Sequence, residues 1–439
     1  MNNILEASDL GIKKPIGLLS AISIGIGGMI GAGIFSILGI AAEISGNAMY
    51  IAFLIAGVVA FLSTYSYAKL GAKYPCAGGP VEFLVKGFGD GILSGGFNIV
   101  LWIGYIFVLA LYAKAFGGYA ITFLPENASG FWLNILATAI ILVFTAVNFV
   151  GARAVGRSEL FIVFVKVGIL LLFVGVGFFF IKPTLLSPSH WPQISNVFFG
   201  AGIIFVAYEG FGLITNAAED MDNPKKTLPK ALYLSVIIVI IIYAAICLAV
   251  LGNLPLSGIV NAREYALAAA AKPFLGLIGF KIVAIAALFS TSSAINATLY
   301  GGTNVSYTIA KKGELPRIFE RKIWGKSSEG LFITAGLVIL FVNLFNLEGV
   351  ALLGSASFLI IYAAVNLAHL RLYRETGANP YLIWLSIIGC FASLGVLVYY
   401  EMNNSPLTLA VLGTVFFLAF IAEGGYRKYS QRLLKTRTK

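Results

Sequence analysis

Gly25-Ile26-Gly27-Gly28-Met29-Ile30-Gly31-Ala32-Gly33-Ile34-Phe35 lies inside the first long apolar run of the chain, Ile16 to Ile44. Five of its eleven residues are glycine. Each glycine in a helix interior costs about 1 kcal/mol relative to alanine, so the cluster needs a physical reason. One reading is that a membrane helix comes apart here. Unsatisfied backbone in hydrocarbon costs several kcal/mol per group, so such a break must face protein, water or a ligand. The other reading is that the glycines let helices pack closely, as in small-xxx-small contacts. The stretch alone does not choose between them.

Composition sets the surroundings. The chain has 439 residues, of which 59% are hydrophobic and 11% charged, with a mean hydropathy of +0.92. Those values exclude an ordinary soluble enzyme. Repeated apolar runs of about 20 residues predict a polytopic, all-α membrane protein. Twelve spans fit, at roughly 16–44, 48–70, 92–117, 132–150, 159–181, 195–217, 231–252, 275–310, 330–346, 349–371, 381–401 and 406–424. The eighth is long enough to project beyond the bilayer. The first reads as an uncleaved signal anchor. The three cysteines (Cys76, Cys247, Cys390) and two histidines (His190, His369) are scattered. They suggest no disulfide framework, no metal site and no cofactor.

Charge gives the orientation. Of the 30 lysines and arginines, 24 fall in one set of loops and in the C-terminal tail. Lys114, Lys182, Arg263, Lys272 and Lys281 fall on the other side. The positive-inside rule then places both termini in the cytoplasm of a multi-pass protein of the cell membrane. The net charge of +11 follows from this asymmetry, and nucleic-acid binding is not needed to explain it. The segment Gly313 to Gly330 interleaves basic residues with Ile318, Phe319, Ile323 and Trp324. It reads as an interfacial helix meeting membrane lipids. Asn127-Ala128-Ser129 fits a glycosylation sequon.

The sixth span carries a second interruption, Phe205-Val206-Ala207-Tyr208-Glu209-Gly210-Phe211-Gly212. The two interruptions open two groups of five spans. An odd number makes the second group start from the opposite side, which is the topology of an inverted repeat. The expected division is a single membrane domain over 1–439, with repeat 1 at about 16–181 and repeat 2 at about 195–371. Spans eleven and twelve, at about 381–424, are peripheral.

Broken helices offer two poles. Freed amides at a helix N-terminus favour an anion, and freed carbonyls at a C-terminus favour a cation. Amides of Ala32, Gly33 and Ile34 suit a carboxylate. Carbonyls of Met29, Val206, Ala207 and Glu209 suit an ammonium. A site with both poles fits an α-amino acid. Lys166 lies some eight residues, about 12 Å, inside span five. A charge there is costly unless paired or wet. It is either a proton carrier or a snorkelling side chain. Glu209 is the other charge at mid-membrane, and either contacts a basic substrate, moves a proton or pairs with a polar neighbour. The hydroxyl-rich run Ser290-Thr291-Ser292-Ser293 either binds an ion or bonds neighbouring helices.

These residues carry a family pattern. Gly28-Met-Ile-Gly-Ala-Gly-Ile-Phe35 resembles the first-span motif of the amino acid–polyamine–organocation (APC) superfamily of permeases. Phe205-Val-Ala-Tyr-Glu-Gly-Phe211 resembles its sixth-span motif, and Glu219-Asp-Met-Asp-Asn-Pro224 the acidic segment after it. Tyr74-Pro-Cys-Ala-Gly-Gly79 and Ala310-Lys-Lys-Gly-Glu-Leu-Pro316 match two further loop signatures. Val155-Gly-Arg-Ser-Glu-Leu-Phe-Ile-Val-Phe-Val-Lys166 looks most like the prokaryotic, proton-coupled, sodium-independent members. The resemblance implies a LeuT-like 5+5 inverted repeat with helices 1 and 6 discontinuous. It also implies alternating access, and a fifth-span lysine, Lys166, in place of a sodium ion between spans one, five and eight. Gly25, Gly28, Ser292 and Ser293 would line that place. The chain departs from the pattern at Ala32, where a serine is frequent, and at Glu209, where a small or apolar residue is frequent.

The resulting expectation is a secondary active transporter without covalent chemistry, a proton symporter of broad or neutral amino acid specificity. Alternatives are a cationic amino acid or polyamine carrier or exchanger, and a non-transporting amino acid sensor on a permease fold.

Overall fold

The computed structural model describes residues 16–76, 78–125, 130–150, 155–323 and 327–430. The sequon at 127–129 and Trp324 lie outside them. The described chain is almost wholly helical. Each of the twelve apolar runs becomes a helix. These are α1 (Leu18–Ser45), α2 (Met49–Lys73), α3 (Ile92–Ile121), α4 (Gly130–Val150), α5 (Val155–Phe179) and α6 (Ile194–Asn216). The second half comprises α7 (Pro224–Asn253), α8 (Ala266–Lys312), α9 (Glu329–Leu344), α10 (Leu347–Thr376), α11 (Pro380–Asn404) and α12 (Pro406–Ser430). In lipid every backbone group must be satisfied internally, and long apolar helices do this without partners.

Turn chemistry sets several helix ends. Proline opens α7, α11 and α12, where its missing N–H costs nothing. The Asn346 side chain accepts the Gly349 amide at the start of α10. Gly313 closes α8 in a left-handed conformation with φ 94°. At Gly276 the backbone swings to φ 64°, ψ −161°, so α8 is two helices joined at a kink. The second of them begins where the apolar pattern put the eighth span.

Burial divides the bundle. Helices α3 and α10 are buried along most of their length, whereas α11 and α12 keep apolar faces such as Trp384, Ile388 and Phe417 exposed. Those faces suit lipid. The loop after α8 is not the expected interfacial helix. It forms a short 3-10 turn, Arg317–Phe319, and a two-residue antiparallel pair, Lys322–Ile323 with Ser327–Ser328. Phe319 turns inward and packs edge-on against Trp102, which holds the loop to the bundle.

The first span departs from expectation most clearly. α1 runs unbroken from Leu18 to Ser45, with Gly25 to Phe35 inside it. The expected discontinuity is absent because the α-helical pattern already satisfies the amides within the segment. The sixth span is interrupted in type. It is α-helical to Ile204, a 3-10 helix over Phe205–Gly212, and α-helical again to Asn216. Tightened turns of this kind mark strain or a hinge within a helix.

Just past the end of α8, Glu314 is 1% exposed; the Asn98 amide donates to one carboxylate oxygen at 2.8 Å and the other has no partner. Burial pushes its carboxyl up to about 7 from 4.5. The folded chain therefore holds this proton more tightly than the unfolded chain. That contribution is complete below the unfolded value and is lost as pH rises through the folded one. Replacement Glu314→Gln is expected to raise the melting temperature at about pH 8, by the equivalent of about 1–3 kcal/mol, and to leave it nearly unchanged at about pH 5. Thermal unfolding of the two proteins across that range measures the difference.

Candidate functional site

The site forms where the glycine face of α1 meets the 3-10 stretch of α6. A Cβ built on Gly210 would lie 2.3 Å from the Gly28 carbonyl carbon, and one on Gly33 would lie 2.8 Å from the Ala207 carbonyl oxygen. No L side chain fits at either point. The glycines thus do what the packing reading required, and bring two backbones into contact.

Although α1 is continuous, its carbonyls are not spent. A carbonyl oxygen has a second lone pair, and four neighbouring helices use it. The Tyr243 hydroxyl, from α7, donates toward Met29 O at 2.6 Å and lies 3.2 Å from Ala207 O. Lys166 Nζ, from α5, donates to Gly27 O at 2.9 Å. Ser290 Oγ, from α8, donates to Gly31 O at 2.7 Å, and Tyr119, from α3, to Phe35 O at 3.3 Å. The Tyr362 hydroxyl, from α10, donates to Glu209 O at 2.6 Å on the α6 side.

Two of the four residues expected to bind an ammonium, Met29 and Ala207, therefore converge. Met29 and Ala207 point their carbonyls at one hydroxyl, with the Ile34 amide beside it. Glu209 follows on the same 3-10 stretch. Val206 is buried, with its side chain against Gly354 of α10. Gly33 and Ile34 are buried within the helix, so their amides are not a free helix N-terminus. Ala32 lies in the same unbroken turn. The two expected poles become one row of carbonyls capped by tyrosine hydroxyls.

The Glu209 carboxylate is 2% exposed and accepts the Tyr112 hydroxyl at 3.2 Å. Around it stand Tyr67, Tyr362 and Phe211, with Tyr67 and Tyr362 edge to face at 5.3 Å. The Tyr67 hydroxyl is buried with no hydrogen-bond partner among the described residues. An unsatisfied hydroxyl there is expensive, and a polar ligand or water would relieve it.

Lys166, 3% exposed, stands where α1, α5 and α8 meet. A Cβ on Gly31 would lie 3.8 Å from its Nζ and 2.7 Å from the Ala294 methyl. The lining differs from the expected one. Gly27 and Gly31, one helical turn apart, face Lys166 and α8. Gly25 meets Ile214 and Ser235, and Gly28 meets Gly210. At 100° per residue these lie on another face of α1. For the same reason Ser290 and Ala294, also one turn apart, face α1, while Ser292 lies on another face; Ser292 and Ser293 are both half-buried.

Tyr243, Tyr362 and Tyr112 were not singled out from sequence, whereas Ser290 belongs to the hydroxyl-rich run that was, and it bonds a neighbouring helix. With 20 tyrosines in the chain, residue type alone carries no signal, and the partners lie on remote helices. Both ends of α1 are tied to other segments. Just before α1, Ile16 N–H bonds to Asp220 O at 2.8 Å. Near the other end of α1, Arg263 pairs with both carboxylate oxygens of Glu43 at 2.7 Å. Among the described residues no cluster of His, Cys, Asp and Glu suits a metal ion.

Comparison with known proteins adds an independent line. The family model for amino acid permeases matches residues 16–422. An uncharacterized protein of Methanocaldococcus jannaschii is 44% identical over 421 residues, covering 96% of this chain and 97% of its own. The inner membrane transport protein YbaT of Escherichia coli is 35% identical, covering 93% of this chain and 96% of its own. The methylthioribose transporter of Bacillus subtilis is 28% identical, covering 82% and 85% respectively.

The Tyr243 bridge yields a direct test. Tyr243→Phe leaves the ring and removes the donor, so unfolding stability is expected to fall by about 1 kcal/mol. Gly33→Val, whose Cβ would meet Tyr243 and Ala207 backbone, is expected to abolish substrate binding while the chain still inserts. Thermal melting and a substrate-binding titration of the membrane-inserted variants check the pair.

Proposed function

Because the chain belongs to the amino acid permease family, we propose that this multi-pass membrane transporter moves amino acids by alternating access, coupled to protons through Lys166. The observation that carries the reading is the bond from Lys166 Nζ to Gly27 O, at the junction of α1, α5 and α8. A buried ammonium held by a main-chain carbonyl loses its charge, and with it much of that bond, on releasing a proton. Gly27 lies two residues from Met29, the carbonyl that meets Tyr243. Protonation of Lys166 and occupancy of the seam thereby act on one turn of α1.

In this reading the substrate ammonium replaces the Tyr243 and Tyr362 hydroxyls as the donor to Met29, Ala207 and Glu209 carbonyls. Helix α1 opens near Ala32 to Ile34 to receive the carboxylate. The 3-10 stretch of α6 is the counterpart hinge. Helices α1–α5 and α6–α10 are the two inverted repeats, with α11 and α12 lipid-facing additions. The basic face is cytoplasmic and carries both termini, and the membrane is the cell membrane. No cofactor or metal takes part.

The buried carboxylate of Glu209 supports a second reading, that of a cationic amino acid or polyamine carrier. A neutral substrate leaves Glu209 with Tyr112, whereas a basic side chain pairs with it. The methylthioribose relative makes a broad substrate panel worthwhile.

Uptake into proteoliposomes with an imposed pH gradient, with and without sodium, tests the coupling. Wild type is expected to concentrate substrate under an inward proton gradient without sodium. Lys166→Ala is expected to lose that response and retain exchange. Sodium-dependent uptake, or an unchanged proton response in the variant, overturns the coupling. Competition by alanine against lysine and putrescine, in wild type and Glu209→Gln, separates the two substrate readings. Neutral specificity predicts inhibition by alanine alone in both proteins.

A further inference from the structure

Away from the seam, a cavity of about 370 Å³ opens on the basic face between the ends of three helices. Lys69 and Lys73 of α2, Lys225 of α7 and Thr376 of α10 supply its polar lining. Ala68, Ala72, Pro229 and Tyr233 supply the apolar part. Among the described residues lining it there is no carboxylate. Lys69 Nζ donates to Gly377 O at 3.3 Å, and neither Lys73 nor Lys225 forms an ion pair among the described residues. Three ammonium groups that share one concavity without a carboxylate repel one another, and an anion seated among them removes that cost.

The surroundings specify the kind of anion. Lys225 lies in the first turn of α7, a 30-residue helix with no acidic residue in that turn and no side-chain cap. Its N-terminal dipole adds to the positive potential of the lysines. The cavity sits at the helix ends. Beyond Tyr233, α7 exposes Leu234, Ile237 and Ile241 toward the bilayer, and the neighbouring α2 exposes Leu54 and Val58. The two helices are in close contact there, since a Cβ on Gly57 would lie 2.6 Å from Ile240. Charge at one end and an apolar flank along the next turns match a phospholipid, whose phosphate and acyl chains are joined in the same sense.

We propose that this cavity is a binding site for an anionic phospholipid of the leaflet on the basic face. Its phosphate lies among Lys69, Lys73 and Lys225, and its chains lie along the α2–α7 flank. The site is separate from the substrate seam and ties together the ends of α2, α7 and α10. The inference does not depend on the proposed proton coupling or substrate.

The full-length protein, purified from vesicles of phosphatidylcholine mixed with phosphatidylglycerol, is analysed by native mass spectrometry for retained lipid. Wild type is expected to retain phosphatidylglycerol in preference to phosphatidylcholine. The variant Lys69→Gln/Lys73→Gln/Lys225→Gln is expected to bind it about a hundredfold more weakly. A control variant removes three exposed charges from the same face outside the cavity, Lys230→Gln/Lys311→Gln/Lys322→Gln, and is expected to retain the lipid. Melting temperatures in phosphatidylcholine alone confirm that both variants are folded. Equal retention by the cavity variant, or equal loss in the control, overturns the proposal. A third arm adds inorganic phosphate. If phosphate alone displaces the lipid and reproduces its stabilisation, the site takes free phosphate and the lipid assignment falls.

Discussion

Hydrocarbon cannot hydrogen-bond a backbone, and the rest of this structure follows from that constraint. The contact between α1 and α6 meets it by bringing main chain against main chain at Gly28 with Gly210 and at Gly33 with Ala207. Carbonyls left with spare lone pairs are then met by side chains from α3, α5, α7, α8 and α10. The seam is therefore the place where five other helices are pinned to two. A change in those bonds reaches the whole bundle.

The same constraint makes the seam suitable for a ligand. A tyrosine hydroxyl donates one proton, yet Tyr243 lies within bonding distance of two carbonyls from different helices. An ammonium has three N–H donors and would serve both. Lys166 already uses this chemistry two residues away, at Gly27. The glycines that allow the approach also keep the backbone within reach of a small zwitterion. Close packing and binding thus draw on one property of the stretch.

Polar groups outside the seam divide by depth. Arg263 with Glu43 and Lys312 with Glu82 form ion pairs near the helix ends, where exposure limits what each contributes. Glu314 lies beneath such a surface, with one oxygen on Asn98 and one unpaired. Its placement costs stability when ionised, which the fold accepts in a loop carrying a family signature. The lysine cavity shows the opposite imbalance, positive charge gathered with no carboxylate among its described lining residues.

Much of the molecule was legible in the chain itself. Apolar runs of membrane length specified the helices, since backbone satisfaction in lipid leaves little choice. Basic residues specified a polar asymmetry, and the motifs around Gly28 and Glu209 specified the family. That Lys166 needs a partner was also legible, since a lone charge deep in a span is costly, but its place beside the glycine stretch came only from the family resemblance. What the chain could not state was which way each helix is turned. Gly27 and Gly31 rather than Gly25 and Gly28 face Lys166, and Ser290 rather than Ser292 faces α1, because a 100° step per residue moves neighbours onto different faces. Nor did it state that α1 stays helical through its glycines while α6 tightens into a 3-10 helix. Those outcomes, and the tyrosines that cap the carbonyls, depend on contacts between different helices far apart in the chain. Run length and motif are local properties that a sequence carries directly; rotation, register and partner choice are set when the helices pack.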